Sequence, residues 1–304
     1  MESTRPKVSI CIPTYKQVEF LKKTLDSILI QSYQDYEIII SDDSPDRSVQ
    51  SLVEQYSFGS KLKFLKNKNP LGSPENWNES IRKASGEYMK ILHHDDWFTF
   101  PYSLEEYVKL LDENPQADFA FSATNVFHAD TLKERIHCIP DGYLEKLQKD
   151  PQILFWGNLI GGPSVTICRR SLNEYYDKKM QWLVDIEFYI RAIQKNSHIV
   201  FSPKPLITTS TATEHAITSS ITKEIDVSEH FYLYDKIKSS VAKNDRKPYI
   251  IHLWYLLEKY NITSPKQVKQ MGYSGELERP LKTLMTLKII SFRLSQLYQK
   301  IYFF

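Results

Sequence analysis

The sequence predicts an α/β fold in which a Rossmann-like, mixed but mainly parallel sheet carries helices on both faces and a helical C-terminal extension follows. Three observations predict it. Runs rich in β-branched residues alternate with segments of helical apolar period. The early strands are too continuously apolar to leave one face in water. Two of them end in paired aspartates, at the strand ends where right-handed βαβ sheets bind their ligands.

Val8 to Ile12 (VSICI) reads as the first strand, stopped by Pro13, and Val18, Leu21, Leu25 and Ile28 recur at helical spacing up to about Gln31. Tyr36 to Ser41 (YEIIIS) is a second strand that runs into Asp42-Asp43-Ser44-Pro45, and a helix follows from about Asp46 to Tyr56. Lys61 to Lys66 gives a third strand and Pro74 to Ala84 a helix, while Glu87 to Leu92 (EYMKIL) is a fourth strand ending at His93-His94-Asp95-Asp96. Beyond a strand at Ala117 to Phe127 the rhythm changes. A polar stretch runs to Asp150, a β-like segment at Ser164 to Arg169 follows Gly161-Gly162-Pro163, and a helix spans Asp185 to about Lys195. With no Gly/Ser/Pro linker between these halves, one catalytic domain over 1–225 is expected, with a helical extension over 226–304. In the tail, 281–304, Leu287, Ile290, Leu294, Leu297, Ile301 and Phe304 follow 3,4 spacing among four basic and no acidic residues. This amphipathic basic helix is open to packing on its own domain, to self-association or to peripheral membrane contact.

Composition bounds the function. The 304 residues are 41% hydrophobic and 25% charged, which supplies a core and excludes a disordered chain. Lysine plus arginine (39) nearly cancels aspartate plus glutamate (37), so no field attracts nucleic acid. Cys11, Cys138 and Cys168 are odd in number and far apart, which fits a reducing compartment better than a disulfide framework. No signal-peptide core and no long apolar run is present, so a cytoplasmic chain is expected, with the inner face of the cell membrane as the place where its tail would attach.

Asp42 and Asp43, Asp95 and Asp96, and Asp185 with Glu187 are the acidic sites that such a sheet would place near a ligand, although paired aspartates before a helix equally serve as caps and turns. A diphosphate bound there needs its charge offset. The chain has neither GxGxxG after its first strand nor GxxxxGK[ST], which argues against a dinucleotide dehydrogenase and a P-loop ATPase. The economical alternative is a hard divalent cation, Mg²⁺ or Mn²⁺, gripped by carboxylates at the Asp95-Asp96 turn.

Val8 to Lys16, Gln31-Ser32-Tyr33, Tyr36 to Ser44, Gly72 to Asn78, Ala84 to Tyr88 and His93 to Asp96 together resemble glycosyltransferase family 2, over residues 7 to about 101 in the expected order. That family has the GT-A fold and comprises mostly inverting, nucleotide-sugar-dependent transferases. The resemblance implies that Pro13, Thr14 and Tyr15 line the base pocket and that Asp43, with Asp42, hydrogen-bonds the nucleobase. Asn78 matches the asparagine of the helix before the signature strand, and His94 lies where a ribose contact is expected. Asp95 is then the metal ligand with Asp96 in support, and His215 matches a position near the metal or the leaving diphosphate. His93 stands where the family's signature opens with a carboxylate.

Gln181 to Arg191 resembles the acceptor-side segment whose family form is often Glu-Asp, with Val184 replacing the glutamate and Asp185 retained. Direct displacement at an anomeric carbon needs a base for the acceptor hydroxyl, a role assigned to Asp185. Glu187 is read as orienting the acceptor or pairing with Arg191 one helical turn on. The expected reaction moves a sugar from a nucleotide-sugar, a UDP-sugar first, to a glycan or lipid-linked acceptor. A sugar nucleotidyltransferase would share the sheet but would carry a glycine-rich basic loop after the first strand. A non-catalytic carbohydrate-binding subunit would keep the fold, and His93 is its best support.

Overall fold

The computed structural model describes residues 5–211 and 221–288. The chain divides into two compact units, Met1–Ser219 and Ser220–Phe304. The first contains β1 (Val8–Thr14), α1 (Val18–Leu29), β2 (Tyr36–Asp42), α2 (Ser48–Val53), β3 (Leu62–Lys66), α3 (Glu75–Lys83), β4 (Tyr88–Ile91), β5 (Asp96–Phe98), α4 (Ser103–Asp112) and β6 (Phe119–His128). It continues through β7 (Lys133–His137), α5 (Tyr143–Lys149), β8 (Thr166–Arg169), α6 (Val184–Lys195) and β9 (Ile199–Thr211).

The strands form one mixed sheet in the order β3-β2-β1-β4-β8-β6-β9-β5, with β7 hydrogen-bonded to β6 off that path. From β3 to β4 every neighbour is parallel. β8 then pairs antiparallel with both β4 and β6, whereas β6 and β9 run parallel. All seven residues of β1 and of β2 are buried, so side chains on both faces of these strands are covered. α3 packs against β1 and β2, and α4 against β6 and β9.

β1 continues through Pro13 to Thr14, two residues further than the sequence reading. Its pairing with β4 ends at Cys11, so the missing N–H of Pro13 costs no ladder bond. In β9 the register shifts opposite Ser122 and Ala123, where Pro203 and Pro205 stand, which is how a strand with two prolines lies inside a sheet.

Glu37 ties the parallel half together. Its Oε1 accepts from Ser9 Oγ at 2.6 Å on β1 and from the Ser85 N–H at 2.6 Å before β4, and its Oε2 from Lys63 Nζ at 2.7 Å on β3. Gly86 follows because a Cβ there would lie 2.7 Å from the Ser9 nitrogen. Burial pushes the Glu37 carboxyl up, but the hydrogen bonds from Lys63, Ser9 and Ser85 outweigh it and hold the group down at about 2, against an ordinary 4.5. A carboxyl lowered on folding contributes stability fully above its unfolded value and loses it as pH falls through the folded one. Glu37→Gln is therefore expected to cost on the order of 3 kcal/mol at pH 7. Thermal melts between neutral pH and pH 2 should show the parent losing this increment and the variant lacking it. Identical pH dependence of the two would remove Glu37 as its source.

The second unit contains α7 (Lys223–Ile237), α8 (Lys247–Lys259), α9 (Pro265–Gln270) and a helical stretch over 279–288. Thr222 caps α7, and Ser264 with Gln267 forms a capping box on α9. Asp226, buried at the start of α7, accepts from Tyr260 Oη at 2.6 Å and Lys259 Nζ at 3.0 Å, fixing the end of α8. Residues 289–304, most of the basic tail, lie outside the described residues. Among the described residues no helix is long and apolar enough to cross a membrane.

Candidate active site

The ends of β1, β2 and β4 meet on one side of the sheet. The Pro13 carbonyl lies 3.2 Å from His94 Nδ1, and the Thr14 hydroxyl donates to Asp42 Oδ1 at 3.1 Å. Lys16 and Gln17 both take left-handed backbone angles, φ 56° and 52°, and the Lys16 N–H donates to Ser44 Oγ at 2.7 Å. This turn leaves Tyr15 49% exposed beside the strand ends, an aromatic face available for stacking.

The two aspartates after β2 are used within the fold. Asp42 is fully buried, accepts from the Ser44 hydroxyl at 2.6 Å and pairs with Lys66 Nζ at 2.7 Å. Asp43 is also buried and accepts from Asn67 Nδ2 at 2.8 Å and from the backbone N–H groups of Leu71 and Gly72 at 3.0 and 2.8 Å. It thus anchors the 67–72 segment to the end of β2. Asn78 is occupied elsewhere: its amide donates to the Tyr176 carbonyl at 2.9 Å and its Oδ1 accepts from the Tyr176 N–H at 2.9 Å. It bridges α3 to the segment leading into α6.

The turn after β4 gathers His93, Asp95 and Asp96, whose ligand atoms all lie within 4.8 Å of one another. His93 Nε2 is buried without a hydrogen-bond partner among the described residues, and burial pushes the imidazole down to about 4, leaving it neutral. An orphaned, neutral imidazole nitrogen beside two carboxylates fits a divalent cation with a nitrogen preference. Burial, and then the Asp95 charge, raise the Asp96 carboxyl above the ordinary range. Beneath the turn lies Lys90, fully buried on β4, its ammonium donating to the Ser164 carbonyl and sitting 4.3 Å from the Tyr107 ring centroid. Burial lowers it to about 7, opposed by Asp96. The sequence reading passed over Lys90, although a lysine inside the apolar run EYMKIL is itself a signal of a buried partner.

Asp185 lies in the first turn of α6, where the helix dipole favours a carboxylate. Its Oδ1 accepts from the Ile186 N–H at 2.8 Å and its Oδ2 from Asn158 Nδ2 at 2.7 Å. A chain of rings joins this helix to the β4 turn: His93 packs on Trp77 at 4.5 Å, Trp77 on Tyr176 at 5.2 Å, and Tyr176 stacks on Phe188 of α6 at 4.4 Å. Glu187 is buried and paired in bidentate fashion with Arg191, at 2.6 and 2.9 Å, and Arg191 also reaches Glu174. This network is the i,i+4 pairing, and it fixes α6 to the 174–175 segment. His215 lies outside the described residues.

Residues 9–176 match the model of glycosyl transferase family 2. The chain belongs to glycosyl transferase family 2. Among relatives of this family-2 chain, a glycosyltransferase of Methanocaldococcus jannaschii is 30% identical over 198 residues, covering 63% of this chain and 66% of that one. The glycosyltransferase GlyA of Streptococcus pneumoniae is 28% identical over 148 residues, 48% of this chain and 21% of the relative. The family-2 chain therefore spans under two thirds of the length of these relatives. In fold it is similar to S. aureus TarS in complex with UDP-GlcNAc, at TM-score 0.59 and 17% identity over 87% of this chain and 83% of that one. It is also similar to a mannosyltransferase from Pyrobaculum calidifontis in complex with GDP-Man and Mn²⁺, at TM-score 0.59 and 15% identity over 99% and 88% of the two chains. These likenesses establish the α/β GT-A architecture.

Proposed function

We propose that this family-2 glycosyltransferase moves a sugar from a UDP-sugar to a hydroxyl of a glycan or lipid-linked acceptor, with inversion at the anomeric carbon. The observation that carries the reading is the joining of two sites remote in sequence, the His93–Asp95–Asp96 turn and Asp185, through the Trp77–Tyr176–Phe188 rings. Tyr15 offers its face to the nucleobase, with the Asp43-anchored 67–72 segment as the pocket wall.

Asp95, Asp96 and His93 would hold a divalent cation, which when bound neutralises charge on the nucleoside diphosphate. Asp185 accepts the proton of the acceptor hydroxyl, whose oxygen bonds to the anomeric carbon from the face opposite the leaving group. The bond from that carbon to the phosphate oxygen breaks, and the nucleoside diphosphate departs with the electron pair. The hydrogen bonds from Asn158 and from the Ile186 N–H hold the Asp185 carboxylate in place at the start of α6.

The His93 nitrogen favours Mn²⁺ over Mg²⁺, which prefers oxygen throughout. UDP is accordingly expected to raise the melting temperature far more with Mn²⁺ than with Mg²⁺, and little with EDTA. UDP release from UDP-glucose or UDP-N-acetylglucosamine, with water as acceptor, should follow the same order. No stabilisation by any nucleoside diphosphate with either cation would overturn the reading. Stabilisation without release from any nucleotide-sugar would favour a carbohydrate-binding subunit.

A further inference from the structure

Between α5 and β8 the chain runs as a strap from Asn158 to Ser164, and each end of it grips one of the two sites. At one end the Asn158 side chain makes four hydrogen bonds. Its Oδ1 accepts from the N–H groups of Ile160 and Gly161 at 3.0 and 2.9 Å, and its Nδ2 donates to the Gly161 carbonyl at 2.9 Å and to Asp185 Oδ2 at 2.7 Å. The oxygen therefore closes a local turn while the amide hydrogens carry that turn onto α6. Tyr189, one helical turn beyond Asp185, donates to the same Gly161 carbonyl at 3.0 Å.

At the other end Ser164 is fully buried, and its hydroxyl accepts from the His93 N–H at 2.9 Å and opposes the rise that burial imposes on the Asp96 carboxyl. Its carbonyl receives the Lys90 ammonium. Between the two ends the backbone turns at a glycine. Gly161 takes φ +110°, and a Cβ there would stand 3.4 Å from Val165 Cγ2 and 3.7 Å from His137 Cδ2.

Resting on the assignment of Asp185 as the acceptor base, we propose that Asn158 is the positioning residue that aims the Asp185 carboxylate. The strap fixes that aim relative to the β4 turn, so the base and the donor-binding turn keep one spacing. Asn158 donates to Asp185 from a side chain that is itself immobilised by three further bonds. A base misplaced by an ångström loses about 10²-fold in rate without any loss of donor binding.

The test uses the full chain with Mn²⁺ and UDP-glucose or UDP-N-acetylglucosamine, reading UDP release. Asn158→Asp keeps the oxygen that closes the turn but replaces the donor to Asp185 with a second carboxylate. Its kcat is expected to fall about 10²-fold, with the donor KM and the stabilisation by UDP and Mn²⁺ held within about 3-fold and 3 °C of the parent. Asn158→Ala, which also opens the turn, is expected to lose at least as much kcat. A purely structural strap would behave differently, because its far end holds His93 and Asp96, and slackening it would raise donor KM and abolish the stabilisation together with kcat. That outcome overturns the positioning role, as does parental kcat in Asn158→Asp alongside an inactive Asp185→Asn. If Asp185→Asn itself turns over at the parental rate, the base assignment fails and the role of Asn158 falls with it.

Discussion

Asp185→Asn is expected to lower both sugar transfer and donor hydrolysis by about 10³-fold, while UDP with Mn²⁺ still stabilises the protein as it does the parent. The amide is isosteric, and its oxygen can still accept from Asn158; the position that accepts from the adjacent Ile186 N–H becomes an NH₂, so a single hydrogen bond in the first turn of α6 is given up. What it lacks is a basic lone pair for the acceptor proton. A general base contributes roughly 10² to 10⁴ in rate, and here the loss should appear in kcat, not in donor KM. Turnover at more than about a tenth of the parental rate would assign the base to another group. A collapse of UDP stabilisation would make Asp185 part of the donor site instead.

Asp95→Ala is expected to act on the other half of the site and to remove both turnover, by about 10³-fold or more, and the Mn²⁺-dependent part of UDP stabilisation. Of the three candidate ligands, Asp96 is buried, and His93 is held by its backbone to Ser164. Asp95 is more exposed than Asp96 and engages Ser210 only through its backbone carbonyl. Its removal therefore subtracts a ligand without cutting the framework, and the melting temperature without nucleotide should move little. Equal UDP stabilisation of parent and variant in Mn²⁺ would dismiss Asp95 as a ligand. The two variants fail in opposite ways, one in chemistry with binding kept and one in both.

The parallel half of the sheet was legible because its strands obey local rules: β1, β2 and β4 are short runs centred on apolar residues, buried along their whole length, and each is punctuated by a polar turn. β5, β7 and β9 were not read. β5 is three residues long and exists through pairing with β9, β7 is polar and mostly exposed beside β6, and β9 carries two prolines at a register shift. β5 and β9 are specified by partners distant in sequence, which no local pattern encodes, whereas β7 is the polar second strand of a hairpin with β6 and carries no apolar alternation to mark it. The site divides in the same way. Residue type and spacing pointed to Asp95, Asp96 and Asp185. The commitments of Asp42 to Lys66, of Asn78 to the Tyr176 backbone and of Glu187 to Arg191 depend on contacts between elements. Asn158 escaped notice because an asparagine before glycines reads as turn chemistry. That reading is correct for its oxygen and omits what its amide hydrogens do.

In the proposed reaction the β4 turn and Asp185 face one another across a single bound donor. Crystals grown with UDP and Mn²⁺, measured at the manganese absorption edge, test it most directly. One anomalous peak bound by Asp95 with His93 or Asp96 is expected, with a diphosphate lying between that peak and the Asp185 carboxylate. A manganese site elsewhere, or a diphosphate on the far side of the turn from α6, would contradict it.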